Sequence, residues 1–253
     1  MKYYFHVSYL PEIQRDDKKL RLRISDLLAE RLHVTERDWA QVELLLLEGD
    51  VLQIERLLSG KDVQVEYQLH GRDFWKEQIR SSKDIPECFL GVFDTLVLEG
   101  PSPRNLDLLY GSYYAYAIEH ASSAFLRDYL LFRRDLRNIL AALRARRRGL
   151  SPSDHLVGEE GDITDALSRS TAEDFGLSSH YPWIERLIAA KEPVETEETI
   201  QEIVWETLDE MTQHLDFDFE AILAYLLKLQ LLERRLALSE DTGMEIVRHL
   251  EEL

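Results

Sequence analysis

The stretch FRRDLRNILAALRARRRG, residues 132–149, has the spacing of a long amphipathic helix. At about 100° per residue, its Phe, Ile and Leu side chains form an apolar arc. Gly149 occupies the position where a left-handed residue ends many helices, and Ser151 and Pro152 fit the cap and first residue of the next one. The stretch therefore predicts a helix, a sharp turn and a second helix. Four arginines lie along one edge beside the apolar arc: Arg133, Arg137, Arg144 and Arg148.

Helical spacing extends to most of the chain, because apolar residues recur every three or four positions. Thr35 and Ser102 fit further N-caps, Thr35 with Asp38 three residues later and Ser102 with a proline directly after it. The aromatic residues 3–9 alternate at period two, which fits a strand, although a helix also fits. The predicted fold class is all-α, a compact multi-helix protein. Its helices are expected at about 16–32, from 36, 50–59, 72–82, 86–98, 103–148 with a break, from 193, 217–238 and after 241.

A domain boundary is expected within residues 150–180, which are rich in Ser, Gly and Asp and read as short helices in a looser connector. Residues 1–149 would then form an N-terminal helical lobe that ends in the arginine-rich helix. Residues 150–253 would form a C-terminal lobe that contains an acidic helix. The alternative is one continuous domain.

The charge and composition of the 253 residues exclude several classes of protein. Thirty Lys and Arg against 48 Asp and Glu give a net charge of −18, which disfavours general binding to nucleic acid. The longest apolar runs are far shorter than the roughly 18 residues that span a membrane. Cys88 is the one cysteine, so no intramolecular disulfide can form, and a reducing compartment is expected. The first residues lack the pattern of a secretory signal.

No motif in the sequence predicts catalysis or a cofactor. Glu210 with His214 and Glu245 with His249 share helix faces, but neither pair has the spacing of a di-iron or zinc-protease site. Asp216, Asp218 and Glu220 lack the glycine of a calcium loop, and GEEGD at 158–162 lacks the Lys-Ser/Thr of a phosphate loop. Cys88 lies in an apolar helix, where an inert thiol is expected. We therefore expect a noncatalytic protein without metal or cofactor. A metal-dependent enzyme that uses the Glu/His pairs is the weaker alternative.

The arginine edge supports two interpretations. It is solvated or pairs within the fold with the acidic helix of residues 192–220, which holds eleven carboxylates and no Lys or Arg. Alternatively, it docks an anionic surface, for which the planar guanidinium fork is well suited. Asn138 is expected to satisfy a hydrogen bond between helices. The candidate docking or structural residues are Arg133, Arg137, Asn138, Arg144 and Arg148.

Three segments resemble an uncharacterised bacterial family whose genes lie among those of V/A-type rotary ATPases: YYFHVSYLPEI at 3–13, IPECFLGVFDTLVLEG at 85–100 and FEAILAYLLKLQLLERRLAL at 219–238. Independently, DLRNILAALRARRRGLS at 135–151 is similar to the signature of the ATPase C subunit, called d in eukaryotes. The matching positions are Asp135, Asn138, Ile139, Leu143, Arg144, Ala145 and Gly149. Tyr225, Leu226, Glu233 and Arg234 match a late helix of that subunit.

The resemblance implies a noncatalytic, all-helical adaptor between the central shaft of the motor and the cytoplasmic face of the membrane rotor ring. Its partners would be the other ATPase subunits, and it would be cytoplasmic and peripheral to the inner membrane. A permanent subunit and an assembly factor both fit this role. The alternative is an independent acidic adaptor that regulates another soluble complex.

Overall fold

The computed structural model describes residues 3–29, 31–159, 161–215 and 217–251. Regular structure in these ranges is helical, without strands, which confirms the predicted all-α class. The α-helices are α1 (Tyr4–Tyr9), α2 (Ile24–Ala29), α3 (Glu36–Leu58), α4 (Arg72–Arg80), α5 (Phe93–Glu99), α6 (Pro103–His120), α7 (Ala124–Arg147), α8 (Asp162–Arg169), α9 (Ile184–Ala189), α10 (Pro193–Thr212) and α11 (Phe219–Glu251). Short 3₁₀-helices lie at Arg31–His33, Glu87–Phe89 and Pro152–His155.

The contacts among the helices divide the chain into two compact units. Unit 1 contains residues 1–39 and 200–253, and unit 2 contains residues 40–199. The division proposed from the sequence, 1–149 and 150–253, differs from this one, because the turn at Gly149 lies inside unit 2.

Unit 1 joins the start of the chain to its last helix. The Tyr3 ring lies 5.8 Å from the Phe219 ring, and the Ile24 amide donates to a carboxylate oxygen of Glu233 at 3.0 Å. In the same unit, the Lys228 ammonium donates to Asp209 at 2.5 Å and lies over the Trp205 ring, which connects α11 to α10. Residues far apart in sequence therefore share one core.

The N-terminal residues differ from the sequence prediction. Of the two alternatives for the aromatic start, the structure adopts the helix, α1. The helix predicted at 16–32 was wrong for most of its length, because among the described residues of that range the structure has α2 and the start of the 3₁₀-helix Arg31–His33. Asp17 accepts from the Gln14 amide at 2.8 Å, and Asp26 accepts from the Arg23 amide at 3.1 Å. The Asp17 bond closes a turn outside a helix and so competes with helix formation, whereas Asp26 lies in the first turn of α2 and its bond stabilises the start of that helix.

The capping signals at Thr35 and Ser102 were correct, whereas the side chain of Ser151 makes no cap bond at the 3₁₀-helix Pro152–His155. Helix α3 begins at Glu36, where the Thr35 hydroxyl accepts from the Asp38 amide at 3.3 Å, and it continues without interruption through the predicted 50–59 segment as far as Leu58. Helix α6 begins after Ser102, whose hydroxyl accepts from the Asn105 amide at 3.2 Å. The predicted break before the arginine-rich helix lies between α6 and α7.

The end of α7 also forms as predicted. Gly149 has a φ of +69°, which glycine adopts without steric cost. Its amide donates to the Arg146 carbonyl at 3.0 Å, and the Leu150 amide donates to the Ala145 carbonyl at 2.9 Å. This pair of bonds is the Schellman motif, which satisfies carbonyls that the helix end leaves without partners.

Three helices predicted after residue 80 have different bounds. The predicted helix at 86–98 is divided into the 3₁₀-helix Glu87–Phe89 and α5, with a turn at Gly91. The helix predicted at 217–238 and the separate one after Asp241 form the continuous α11, since no proline interrupts residues 219–251. The acidic helix after Pro193 is confirmed as α10, with Ile203 and its predicted neighbours Val204 and Leu208 buried.

Helix α3 holds the irregular segment after it through three positions. Gly49 lets the segment approach closely, since a Cβ there would lie 2.4 Å from the Tyr67 carbonyl oxygen. The buried carboxylate of Asp50 accepts from the His70 amide at 2.9 Å, and its other oxygen lies 2.8 Å from His70 Nδ1. The side chain of Gln53 bonds to the backbone at residues 63 and 65. This connection is therefore fixed rather than loose.

Replacing two helical glycines with alanine is expected to change the free energy of unfolding in opposite directions. Gly49→Ala is expected to lower the free energy of unfolding by about 2 kcal/mol, because the new Cβ would overlap a backbone oxygen. Gly111→Ala is expected to raise it by about 0.5 to 1 kcal/mol, because its Cβ would meet Val157 Cβ at an ordinary 3.7 Å and alanine favours the helix. Urea unfolding followed by circular dichroism measures both. Equal effects at the two positions would contradict the close approach at Gly49.

Candidate docking site on the arginine-rich helix

A buried side-chain amide fixes α7 against the segment that follows it. Asn138 Nδ2 donates to the Val157 carbonyl at 2.9 Å, and the Val157 amide donates to Asn138 Oδ1 at 2.9 Å. Asn138 is fully buried, and its side chain donates one hydrogen bond to the Val157 backbone and accepts one from it. The predicted hydrogen bond therefore exists, but it joins a helix to a connecting segment rather than to another helix.

Asp135, three residues before Asn138, also uses its side chain in hydrogen bonds within unit 2. One Asp135 oxygen accepts from Arg134 at 3.1 Å, and the other accepts from the Tyr181 hydroxyl at 3.1 Å. Burial raises the pKa of Asp135, and the bonds from Arg134 and Tyr181 oppose that shift. Asp135 and Asn138 thus both attach later segments of unit 2 to α7.

The arginine edge begins with an internal ion pair. Arg133 Nη2 donates to a Glu48 oxygen of α3 at 2.7 Å, and both side chains are largely buried. Burial is the largest effect and lowers the pKa of Arg133, but the Glu48 carboxylate together with Tyr129 and Tyr114 raises that pKa by more, so it lies well above its ordinary value. Arg133 is therefore a structural cation of unit 2.

Arg137, one turn later, is also bound internally. Its Nη2 donates to Asp107 of α6 at 2.5 Å, and its guanidinium carbon lies 4.5 Å from the centre of the Tyr110 ring. The second Asp107 oxygen lies 3.3 Å from His155 Nδ1. From the sequence, the edge was expected to be solvated or to pair internally with the acidic segment 192–220. That expectation was wrong for these two arginines, because α3 and α6 supply the carboxylates.

The second half of the arginine edge is exposed, unlike the first half. Arg144 and Arg148 are exposed, and their side chains make no hydrogen bond or ion pair with any residue that the structure describes. Because they continue the line of Arg133 and Arg137, one edge of α7 has a bonded first half and an open second half. We call Arg144 and Arg148 the open arginines.

Two neighbouring arginines, which the sequence analysis did not select, attach short helices to α7. Arg146 donates to the carbonyls of Ser170 and Ala172, directly after α8. Arg147 Nη2 donates to the Ala190 carbonyl at 3.1 Å, at the end of α9. Carbonyls at helix ends lack partners within the helix, and cations there are favourable. Nothing local in the sequence distinguishes these arginines from the open ones.

Cys88 and the two Glu/His pairs are among the residues considered above for catalysis or metal binding. Burial raises the pKa of Cys88 to about 12, with a smaller contribution from Asp50, so its thiol stays protonated at neutral pH. Glu210 and His214 are exposed. The side chains of Glu245 and His249, together with Glu160 and Asp216, lie outside the part of the chain that the structure describes.

The described residues contain neither a metal-binding cluster nor a membrane-spanning helix. No group of three or more His, Cys, Asp or Glu is arranged to hold a metal ion. No described helix combines the length and the apolar character that crossing a membrane requires.

Comparisons with known proteins cover both units. A family model described as "Protein of unknown function (DUF2764)" matches residues 1–252. An uncharacterized protein of Chlamydia muridarum (strain MoPn / Nigg) is 24% identical over 261 residues, which cover 99% of this chain and 97% of the relative. No solved structure matches the chain.

Replacing the buried amide is expected to destabilise the protein. Asn138→Ala should lower the free energy of unfolding by roughly 2 to 4 kcal/mol, because it leaves a buried amide and a buried carbonyl of Val157 without partners. Arg144→Ala on the exposed side of the same helix is the control and should change it by less than about 0.5 kcal/mol. Urea unfolding measures both. Similar stability of the two variants would show that Val157 finds other partners.

The two halves of the arginine edge are expected to respond differently to substitution. Arg133→Gln and Arg137→Gln should each lower the free energy of unfolding by about 2 kcal/mol, because each leaves a largely buried carboxylate without its cation. Arg144→Gln and Arg148→Gln should change it by less than about 0.5 kcal/mol. Thermal unfolding compares the four variants. A loss at Arg144 as large as that at Arg133 would contradict this division.

Proposed function

The chain belongs to the DUF2764 family of proteins of unknown function, and from this premise we propose that it is a noncatalytic helical adaptor. It binds an acidic surface of a partner protein through the open arginines at the end of α7. The observation that carries the proposal is that Arg144 and Arg148 are exposed and without bonds to described residues, while the same edge is paired internally at Arg133 and Arg137.

Charge and rigidity support this function. In a chain of net charge −18, two adjacent exposed guanidiniums form a local basic surface that attracts carboxylates by bidentate pairing. The helix that carries them is fixed by Asn138, Arg133 and Arg137, so the arginines start from a defined position. A docking surface on a rigid element loses less conformational entropy when it binds.

We further propose that the partner complex is a V/A-type rotary ATPase. The chain would serve there as a C-like subunit or as an assembly factor, peripheral to the inner membrane, between the central shaft and the rotor ring. The support is the resemblance of residues 135–151 to the C-subunit signature. Two matching positions have structural tasks here: Asn138 bonds α7 to the segment at Val157, and Gly149 ends the helix.

Purification from native membranes tests this proposal. The tagged full-length chain should recover V/A-type ATPase subunits in near-stoichiometric amounts. Arg144→Glu with Arg148→Glu should reduce that recovery, because charge reversal repels an acidic partner surface. Added salt should have the same effect, since exposed charges are screened over about 8 Å at physiological ionic strength.

The matched control reverses the same number of charges elsewhere in unit 2. Arg80→Glu with Lys83→Glu changes two exposed residues outside α7 and should leave the recovery unchanged. ATPase subunits absent from the wild-type preparation would refute the ATPase assignment and favour an adaptor of another complex. Equal loss with both double variants would refute the open arginines as the docking site.

A further inference from the structure

A second face of α7, next to the open arginines, borders a cleft of about 500 Å³ within unit 2. On a helical wheel the α7 residues of this cleft follow one another directly beside the arginine edge. The far wall comes from the segments around α8 and α9. The lining residues are Leu143, Arg146, Arg147, Glu173, Ile188 and Lys191.

The lining combines apolar and cationic groups. Leu143 and Ile188 supply aliphatic surface, and three cations outnumber the carboxylate of Glu173. In a chain with 48 acidic and 30 basic residues, such a local excess of positive charge runs against the composition. An aliphatic floor beside cations is complementary to a ligand that carries both apolar groups and carboxylates.

The two arginines of the cleft are held in place before any ligand arrives. The Arg146 guanidinium carbon lies 3.5 Å from the centre of the Phe175 ring, besides its bonds to backbone carbonyls. Arg147 uses Nη2 for the carbonyls at the end of α9, and the structure shows no bond from its Nε or Nη1 to described residues. A guanidinium has five N–H donors, so Arg147 is anchored and still able to bind a carboxylate.

We propose that this cleft binds an acidic amphipathic segment of a partner protein, with aliphatic side chains on Leu143 and Ile188 and carboxylates on Arg147 and Lys191. This inference rests on the proposed adaptor function and names the chemistry of the partner. A free phosphate would leave the aliphatic floor unused. An anionic membrane surface would repel a chain of net charge −18 at long range.

Fluorescence anisotropy with the full-length chain and a labelled peptide tests the cleft. The probe is a helical peptide with Leu on one face and Glu on the other, compared with a version in which Ser replaces Leu. The Leu peptide should bind about fivefold more tightly or better, because only it can cover the aliphatic floor. Lys191→Glu should weaken its binding about tenfold. This side chain is exposed and has no bond to the residues that the structure describes, while the backbone amide of Lys191 donates to Glu195, so the variant should stay folded.

Lys83→Glu, an equal charge change at an exposed lysine outside the lining, is the control and should leave the affinity unchanged. No binding of the Leu peptide, equal binding of the Ser peptide or equal loss with the control would each overturn the inference. Binding of phosphatidylserine vesicles that Lys191→Glu abolishes would overturn it in favour of a membrane. If the peptide fails while native purification still recovers ATPase subunits, the adaptor function stands and only the cleft's ligand is rejected.

Discussion

The two hydrogen bonds between Asn138 and Val157 are the contact on which the arrangement around α7 depends. An asparagine amide has the same donor and acceptor as a peptide group, so it can replace the partner that an irregular segment lacks. The left-handed turn at Gly149 reverses the chain, and Asn138 then fixes the returning segment against the helix that it has just left. The chain then continues to the segments at Ala172 and Ala190, whose carbonyls accept from Arg146 and Arg147 of α7. The docking surface proposed for α7 therefore depends on the buried Asn138 amide.

The same solution recurs within unit 2, where the buried amides bond to irregular backbone. Gln41 bonds to the junction between α6 and α7, Gln53 to the segment after α3, Gln78 to the segment after α4 and Asn105 to the turn before α6. Each bond adds only about 1 kcal/mol net, but its loss leaves buried polar groups unsatisfied and costs more. Connections held in this way keep the helices in fixed positions, which suits a protein that transmits or bridges contacts. That property supports the proposed adaptor function.

The arginines of α7 illustrate how one residue type takes several tasks on one helix. Arg133 and Arg137 form ion pairs within the fold, with Glu48 of α3 and Asp107 of α6. Where short helices end against α7, Arg146 and Arg147 stabilise their last carbonyls. Arg144 and Arg148, whose side chains have no bond to described residues, are open to a partner. In a chain with an excess of acidic residues, two exposed cations on one edge of a helix form a local basic surface, and this supports the proposed contact with an acidic partner.

The sequence by itself determined the helical class and the helix ends at Thr35, Ser102 and Gly149, because these signals act between residues three to five positions apart. It was less informative where local hydrogen bonds compete, as before α2 and around Gly91, and there the helix bounds were wrong. Only the tertiary structure decided which arginines are structural. The carboxylate that binds Arg133 lies 85 residues away along the chain, and the one that binds Arg137 lies 30 residues away. No local pattern therefore separates these arginines from the open ones. The cleft beside α7 likewise exists only because distant segments meet, and its binding capacity could not be read from the order of the residues.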